Sequence, residues 1–169
     1  LILLKDEFVT ENIGWFLTYT VNFKFYSVGG LVDVWSNHLW TLSIEEQFYL
    51  VFPFLILLIK RKHAFFIPIV LIVVSLIFKF MNQGIEKPFN LLTITQLDML
   101  GAGVGLALIK NRLSETFNLL TGKIGKTIMM VSLFACIWVY YFVDMTPEIW
   151  LTFDCLLLLA FSLLVANAT

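Results

Sequence analysis

Long apolar segments joined by short polar connections constrain the fold of this chain more than any other feature. A helix needs about 20 mostly apolar residues to cross the roughly 30 Å hydrocarbon layer of a bilayer. Segments of nearly this length and composition occur at residues 42–59, 64–80, 91–109, 127–143 and 151–165. They predict an all-α fold, a polytopic transmembrane helical bundle with about five full spans.

The composition supports a lipid environment for these segments. Hydrophobic residues make up 60% of the 169 residues and charged residues 14%, whereas soluble domains have roughly 45–50% and about 25%. This apolar excess is too large for one globular core to bury, so many side chains are expected to face lipid. The formal net charge of −1 gives no indication of a polyanionic partner, and we expect no nucleic-acid binding.

The remaining segments extend this picture. Leu1–Leu4 are expected to be the tail of an earlier helix, and residues 8–26, with aromatic and interspersed polar side chains, a partly buried or interfacial helix. The chain begins without Met and stops after an apolar run. Residues 1–169 are therefore expected to be a fragment of a larger bundle, truncated at both ends. Cys136 and Cys155 have no metal-ligand spacing around them, so they are predicted to be small apolar fillers.

Basic residues are distributed unequally between the connections. The connections at 60–63 and 110–126 hold seven of the 11 lysines and arginines. Because basic loops remain on the cytoplasmic side of a membrane, these connections are predicted to be cytoplasmic. His38, Trp40 and Glu45 are then expected to lie toward the outer face.

An unusual group of polar residues lies where the first spanning helix is predicted to begin. His38, Glu45, Glu46, Gln47 and Tyr49 fall within twelve residues. A charge near the bilayer centre costs about 2.5–3.5 kcal/mol on insertion scales, so such groups are expected to find partners.

Helical spacing divides these polar residues between faces. His38, either Thr41 or Leu42, Glu45 and Tyr49 share one face, whereas the residue after Glu45 is turned by about 100°. Either the Glu45 and Tyr49 face or the opposite one is therefore expected to line a bundle interior.

A simpler explanation exists for part of this group. Ser43 and Glu46 fit a capping box, with the serine at the helix N-cap and the glutamate at the third position. Acidic side chains at a helix N-terminus also suit the helix dipole, and Trp40 and Tyr49 fit interfacial aromatic residues. This explanation does not account for the histidine, the glutamine and the second glutamate in the same stretch.

The string His-Leu-Trp-Thr-Leu-Ser-Ile-Glu-Glu-Gln-Phe-Tyr at residues 38–49 resembles a signature of the acyltransferase-3 family. These membrane-bound O-acyltransferases modify surface polysaccharides, peptidoglycan and similar acceptors. The family pattern reads His-x-Trp-Ser-Leu-x-x-Glu-x-Gln-Phe-Tyr and is followed shortly by proline. Here Thr41 replaces the serine and keeps a hydroxyl group, and Pro53 stands where the proline is expected.

A second, shorter stretch is similar to the Arg-x-Asp-x-Leu-x-x-Gly segment of the same family. Gln96 replaces the arginine, which leaves open how the carboxylate of Asp98 is neutralised. Because Asp98 lies inside a predicted span, we expect it to have a function or a buried polar partner. The nearby Gly101, Gly103 and Gly105 are explained more simply by close helix packing.

The resemblance implies transfer of an acyl group, often acetyl, from acyl-CoA on the cytoplasmic side to a hydroxyl, often of a sugar, toward the outer side. Such a reaction needs a base for the hydroxyl proton and donors for the developing oxyanion. The principal histidine and arginine motif of the family lies in an earlier helix, so the main base is expected outside this chain. Glu45 is then expected to orient or charge-balance that histidine.

The resemblance also implies roles for the other motif residues. His38 is a candidate base or acceptor ligand, so that it and Glu45 are the candidate catalytic residues. The candidate substrate-binding residues are Trp40, Thr41, Ser43, Gln47, Tyr49 and Asp98.

The expected partners are membrane lipid, acyl-CoA as donor substrate, and a carbohydrate or lipid-linked acceptor. We expect no tightly bound cofactor and no metal. The expected location is the plasma membrane of a bacterium, with several spans. The basic connections at 60–62 and 123–126 could attract the CoA phosphates, although the positive-inside rule alone accounts for them.

Two other functions are compatible with the sequence. In a secondary transporter or ion carrier, Glu45, Glu46 and Asp98 would form a proton or cation path. In a non-catalytic structural or sensory subunit, the same acids would act as helix caps and as polar contacts between helices.

Overall fold

The computed structural model describes residues 7–30, 38–82, 88–143 and 147–168, and all regular secondary structure in these residues is helical. The all-α class is therefore confirmed for this part of the chain. The α-helices are α1 (Glu7–Glu11), α2 (Ile13–Leu17), α3 (Val21–Val28), α4 (Leu39–Leu58), α5 (Phe66–Met81), α6 (Leu97–Arg112), α7 (Ser114–Thr121), α8 (Lys123–Phe142) and α9 (Pro147–Ala168). Short 3₁₀ turns occur at Arg61–His63, Phe89–Leu91 and Thr93–Gln96.

Two of the described helices, α4 and α8, are long and apolar enough to cross a membrane. Each has 20 residues, which corresponds to about 30 Å at about 1.5 Å per residue. Only 11% of the apolar window in α4 and 17% of that in α8 are buried, unlike the core helix of a soluble protein. The apolar stretches Phe66–Met81 and Thr152–Ala168 are shorter, so within the described residues length and composition identify two candidate spans, and the predicted five full spans are not shown.

The predicted start of the third segment, residue 91, lies upstream of the start of the corresponding helix, α6. Residues 89–91 and 93–96 form 3₁₀ turns, and α6 starts only at Leu97. The side chains of Thr95 and Gln96 donate hydrogen bonds to main-chain carbonyls three and six residues upstream, at 2.7 Å and 3.0 Å. Because such local bonds compete with the α-helical hydrogen-bond pattern, they explain the later start.

The predicted interfacial helix at 8–26 is also wrong in detail, because three short helices occupy this stretch. Asn12 donates to the carbonyl of Phe8 at 2.9 Å and Thr18 donates to that of Gly14 at 2.7 Å. Tyr19 then has a φ of 52°, in the left-handed region that ends a helix. Leu1–Leu4 lie outside the described residues.

Two connections are shorter than predicted. In the connection predicted at 110–126, α6 continues to Arg112, helix α7 follows, and α8 begins at Lys123. Helix α9 begins at Pro147, upstream of the predicted residue 151, and proline suits the first position of a helix because the N–H it lacks would have no helical partner.

The chain folds into two compact units. Unit one comprises residues 1–64 and 85–96, and unit two comprises residues 65–84 and 97–169. In unit one, Val21, Phe25 and Leu91 form a small buried core. The ring of Phe8 stacks on that of Phe25 at a centroid distance of 5.9 Å, so aromatic contacts hold the short N-terminal helices together.

In unit two, α5 and α6 form a close helix pair because two glycines of α6 face α5. A Cβ atom at Gly101 would lie 3.0 Å from Cβ of Leu71 and 3.1 Å from the carbonyl oxygen of Pro68. At Gly105 it would lie 3.5 Å from Cβ of Pro68, whereas at Gly103 no atom lies within 4 Å. The packing explanation is therefore confirmed for Gly101 and Gly105, and it is wrong for Gly103.

We expect the Gly101→Ala and Gly103→Ala variants to change stability in opposite directions. The methyl group at 101 meets the carbonyl oxygen of Pro68 and side-chain carbons of Leu71 and Ile72 on α5, so overpacking should cost about 1–3 kcal/mol. At 103 the methyl group meets open space, and the higher helix propensity of alanine should contribute up to about 1 kcal/mol. Denaturant unfolding of the detergent-solubilised protein measures both effects. Equal effects of the two substitutions would contradict the close approach at Gly101.

Candidate functional site

The acyltransferase-like motif occupies the N-terminal end of α4. The helix begins at Leu39, with His38 at the N-cap position. Leu39 and Trp40 are half-buried against the small core of unit one. This packing extends the helix upstream of the predicted start, so the polar motif residues lie within its first turns.

The predicted capping role of Ser43 is therefore wrong. Ser43 lies inside α4, is buried, and its hydroxyl group donates to the carbonyl of Leu39 at 3.0 Å. Together with Ile44, which is also buried, it forms part of the core-facing side of the helix. A capping box consequently does not account for the acids of the motif.

The predicted face containing His38, Thr41, Glu45 and Tyr49 is exposed along its whole length. The side chain of Thr41 donates to the carbonyl of His38 at 2.6 Å, and 59% of Tyr49 is accessible. Of the two alternatives for the interior-facing side, the described residues favour the one without Glu45 and Tyr49, because the core-facing side of α4 carries other residues. Glu46 is half-buried. The catalytic roles of Glu45 and His38 remain predictions.

Gln47 connects α4 to two other segments of unit one through a closed ring of hydrogen bonds. Its Nε2 donates to Oδ1 of Asn22 at 3.0 Å, Nδ2 of Asn22 donates to Oγ1 of Thr93 at 3.2 Å, and Oγ1 of Thr93 donates to Oε1 of Gln47. Asn22 is fully buried. The ring fixes the rotation of α4 relative to α3 and the 3₁₀ turn at 93–96, since each amide uses both a donor and an acceptor in it.

A further bond joins this ring to a strained residue. Nε2 of Gln47 also donates to the carbonyl of Tyr19 at 2.7 Å, and Tyr19 is the non-glycine residue with positive φ among those described. Such a conformation costs of order 1–3 kcal/mol and persists only where surrounding contacts hold it. The structure therefore places Gln47 in a supporting network rather than on the exposed face.

Unit two contains a partly buried cluster of three charged side chains. Nζ of Lys79 on α5 lies 2.8 Å from Oδ2 of Asp98 on α6 and 3.1 Å from Oδ2 of Asp154 on α9. The side chains of Lys79, Asp98 and Asp154 are 12%, 0% and 32% exposed, respectively. These three residues are called the Lys79 cluster below. Lys79 neutralises the Asp98 carboxylate, which has no arginine partner at position 96.

Helix ends add to the stability of the Lys79 cluster. Lys79 lies in the last turn of α5 and Asp98 in the first turn of α6, where the helix dipoles favour a cation and an anion, respectively. The backbone N–H of Met99 also donates to Oδ1 of Asp98 at 2.9 Å. Both oxygens of this fully buried carboxylate therefore accept hydrogen bonds, as a buried charge requires.

Sequence reasoning identifies Asp98 but misses Lys79 and Asp154 as its partners. A usable signal exists in the sequence, because each of the three charges interrupts an apolar segment. Lys79 lies near the end of its segment, whereas Asp98 and Asp154 lie near the starts of theirs. Because successive spans run in opposite directions, all three charges are brought to the same end of the helices. Charges at matching depth in neighbouring spans form pairs because an isolated charge is costly there.

No group of three or more histidine, cysteine, aspartate or glutamate residues among those described is arranged to hold a metal ion. In the same residues, Cys136 is a buried free thiol and Cys155 an exposed one. The motif residues in unit one and the Lys79 cluster in unit two are therefore the two candidate sites.

Replacing Lys79 with methionine should destabilise unit two by about 3–5 kcal/mol, because Asp98 would keep its buried charge without a cation. Lys79→Arg should restore most of the loss, and Lys126→Met, at an exposed lysine of α8, serves as the matched control. Denaturant unfolding in detergent measures all three variants. A Lys79→Met protein as stable as the Lys126→Met protein would show that Asp98 does not need this partner.

Comparison of the chain with protein-family models, with curated proteins and with solved structures found no match. The candidate functional sites are those described above, one on α4 and one where α5, α6 and α9 meet.

Proposed function

We propose that this chain forms part of an integral membrane acyltransferase. In this proposal it transfers an acyl group, acetyl in the simplest case, from acyl-CoA to a hydroxyl of a carbohydrate or cell-envelope acceptor. The observation that carries the proposal is the string at residues 38–49, which resembles the acyltransferase-3 signature and occupies the polar end of a helix of membrane length.

The proposed setting is a multi-pass bundle in the plasma membrane of a bacterium. Helices α4 and α8 supply two spans by length and composition. In the proposal, α5, α6 and α9 supply the others. Helix α5 has 16 residues, about 24 Å at the helical rise, and a short span of this kind is accommodated by local thinning of the bilayer or by flanking polar residues.

The proposed division of roles follows the two sides of α4. The core-facing side, with Ser43 and Gln47, holds the helix in place through the hydrogen bonds described above. The exposed side, with His38, Glu45 and Tyr49, remains accessible to an acceptor and to a base supplied by another segment. In this arrangement the Glu45 carboxylate orients the base and stabilises its positive form while the acceptor hydroxyl loses its proton.

Glu45→Gln is expected to lose most acyl transfer, because the amide keeps the size of the side chain but not its charge. Glu46→Gln is the matched control, since Glu46 lies at a variable position of the family pattern. Membranes containing the full-length protein with each substitution are incubated with radiolabelled acetyl-CoA, and transfer to envelope material is counted. The amount of inserted protein is measured by immunoblot. Transfer by Glu45→Gln at the level of Glu46→Gln would remove Glu45 from the mechanism.

A second candidate function, an ion-coupled transporter, is favoured by one observation, the Lys79 cluster. Buried ionisable residues within apolar helices are common in proton and cation pathways. The sequence suggested a path formed by Asp98 with Glu45 and Glu46. In the structure, the described side-chain partner of Asp98 is Lys79, which also binds Asp154.

The two functions differ in what they require of Asp98. A transporter that uses the Lys79 cluster should lose proton flux in Asp98→Asn proteoliposomes loaded with a pH-sensitive dye and energised by an ion gradient. An acyltransferase should show no proton flux with either the wild type or this variant. Flux in the wild type that the variant lacks would favour the transporter over the acyltransferase.

A further inference from the structure

Unit two contains a cavity of about 330 Å³ between α6 and α9. Its walls run from Met99 to Leu106 on α6 and from Leu157 to Val165 on α9. Ser162 is the polar residue in the lining, and its hydroxyl group already donates to the carbonyl of Leu158 at 2.7 Å. The cavity therefore offers an apolar surface without a free side-chain donor.

The cavity is called the α6–α9 slot below. The lining stretches 99–106 and 157–165 correspond to about 10 Å and about 12 Å along the helix axes. Asp98 directly precedes the first stretch and Asp154 precedes the second by less than one turn, and both bind Lys79. The two stretches therefore start from the same end, and the Lys79 cluster lies just beyond the lining residues at that end.

Gly103 keeps the slot open. A Cβ atom at this position would meet no atom within 4 Å, whereas the neighbouring Gly101 and Gly105 face α5. The missing side chain at 103 is thus not needed for helix packing. Its effect is to leave space beside Ala102 and Leu106, on the side of α6 that faces the slot.

We propose that the α6–α9 slot binds one acyl chain of a membrane phospholipid. A volume of about 330 Å³ lies within the range of ligand pockets, roughly 300–1,000 Å³, and is far too small for a helix of about 10 Å diameter. Its lining is apolar apart from Ser162, so the slot suits an apolar group better than water. An apolar slot with charged residues just beyond one end of its lining suits an acyl chain attached to a headgroup.

The charges of the Lys79 cluster specify the class of headgroup. One lysine and two aspartates leave an excess of one negative charge, and Asp154 is the more exposed carboxylate. A zwitterionic headgroup with an amine, such as phosphoethanolamine, offers a cation for this carboxylate, whereas a purely anionic headgroup would be repelled. The proposal rests on the membrane location proposed above and does not depend on acyl transfer.

Lipid retention by purified protein tests this proposal. The wild type is purified in mild detergent from membranes rich in phosphatidylethanolamine, and bound lipid is counted by native mass spectrometry. The Gly103→Leu side chain fills the slot and should reduce the bound phosphatidylethanolamine at least tenfold. Ala107→Leu, at an exposed position of the same helix outside the slot lining, should retain it like the wild type. Equal retention by Gly103→Leu and Ala107→Leu would overturn the proposal.

A labelling experiment on the wild type keeps the test independent of how the variants fold. A phosphatidylethanolamine with a photoreactive diazirine in its acyl chain is reconstituted with the protein and activated by light. Cross-links are expected on residues 99–106 and 157–165. Labelling no stronger there than on the exposed α8 residues Phe134 and Tyr141 would identify ordinary surrounding lipid and overturn the proposal, as would complete displacement of the label by octanoyl-CoA.

Lipid binding in the slot and acyl transfer are tested independently. Lipid retention and cross-linking involve no acyl transfer, so an inactive protein that retains lipid in the slot would contradict the proposed function alone. An active protein whose slot does not retain lipid would contradict the slot assignment alone.

Discussion

The ion pair between Lys79 and Asp98 is the interaction on which the arrangement of unit two depends. Asp98 is fully buried, so its charge is tolerated only while a cation stays within hydrogen-bond distance. This requirement holds the end of α5 against the start of α6, and the glycines at 101 and 105 then allow the two backbones to approach along their length. Asp154 extends the same constraint to α9, which sets one wall of the slot.

Unit one is held together by neutral rather than charged groups. Gln47, Asn22 and Thr93 form a ring in which donors and acceptors are matched. A closed ring of this kind tolerates burial because its polar atoms have partners. It also distinguishes two sides of α4: one side is engaged in contacts, and the motif residues His38 and Glu45 lie on the accessible side. The proposed chemistry depends on this separation.

The sequence was sufficient to predict the helical class, the position of α4 and the importance of Asp98, because apolar length and isolated charges are strong local signals. It was insufficient where tertiary contacts decide. The start of α4 depends on Leu39 and Trp40 packing against residues that are distant in sequence. Ser43 therefore lies inside the helix rather than at the expected N-cap position. The partners of Asp98 come from two other helices, and the exposure of the Glu45 face depends on which side of α4 meets the small core of unit one.

The glycines of α6 lie on two sides of the helix, and each side controls a different property: the distance to α5 on one side and the empty volume on the other. Positions 101 and 105 govern how closely two helices approach, whereas position 103 governs empty volume on another side of the same helix. Larger residues at 103 would therefore reduce the volume of the α6–α9 slot while leaving the pairing of α5 with α6 unaltered, so the size of this one side chain would set the length of any acyl chain bound there.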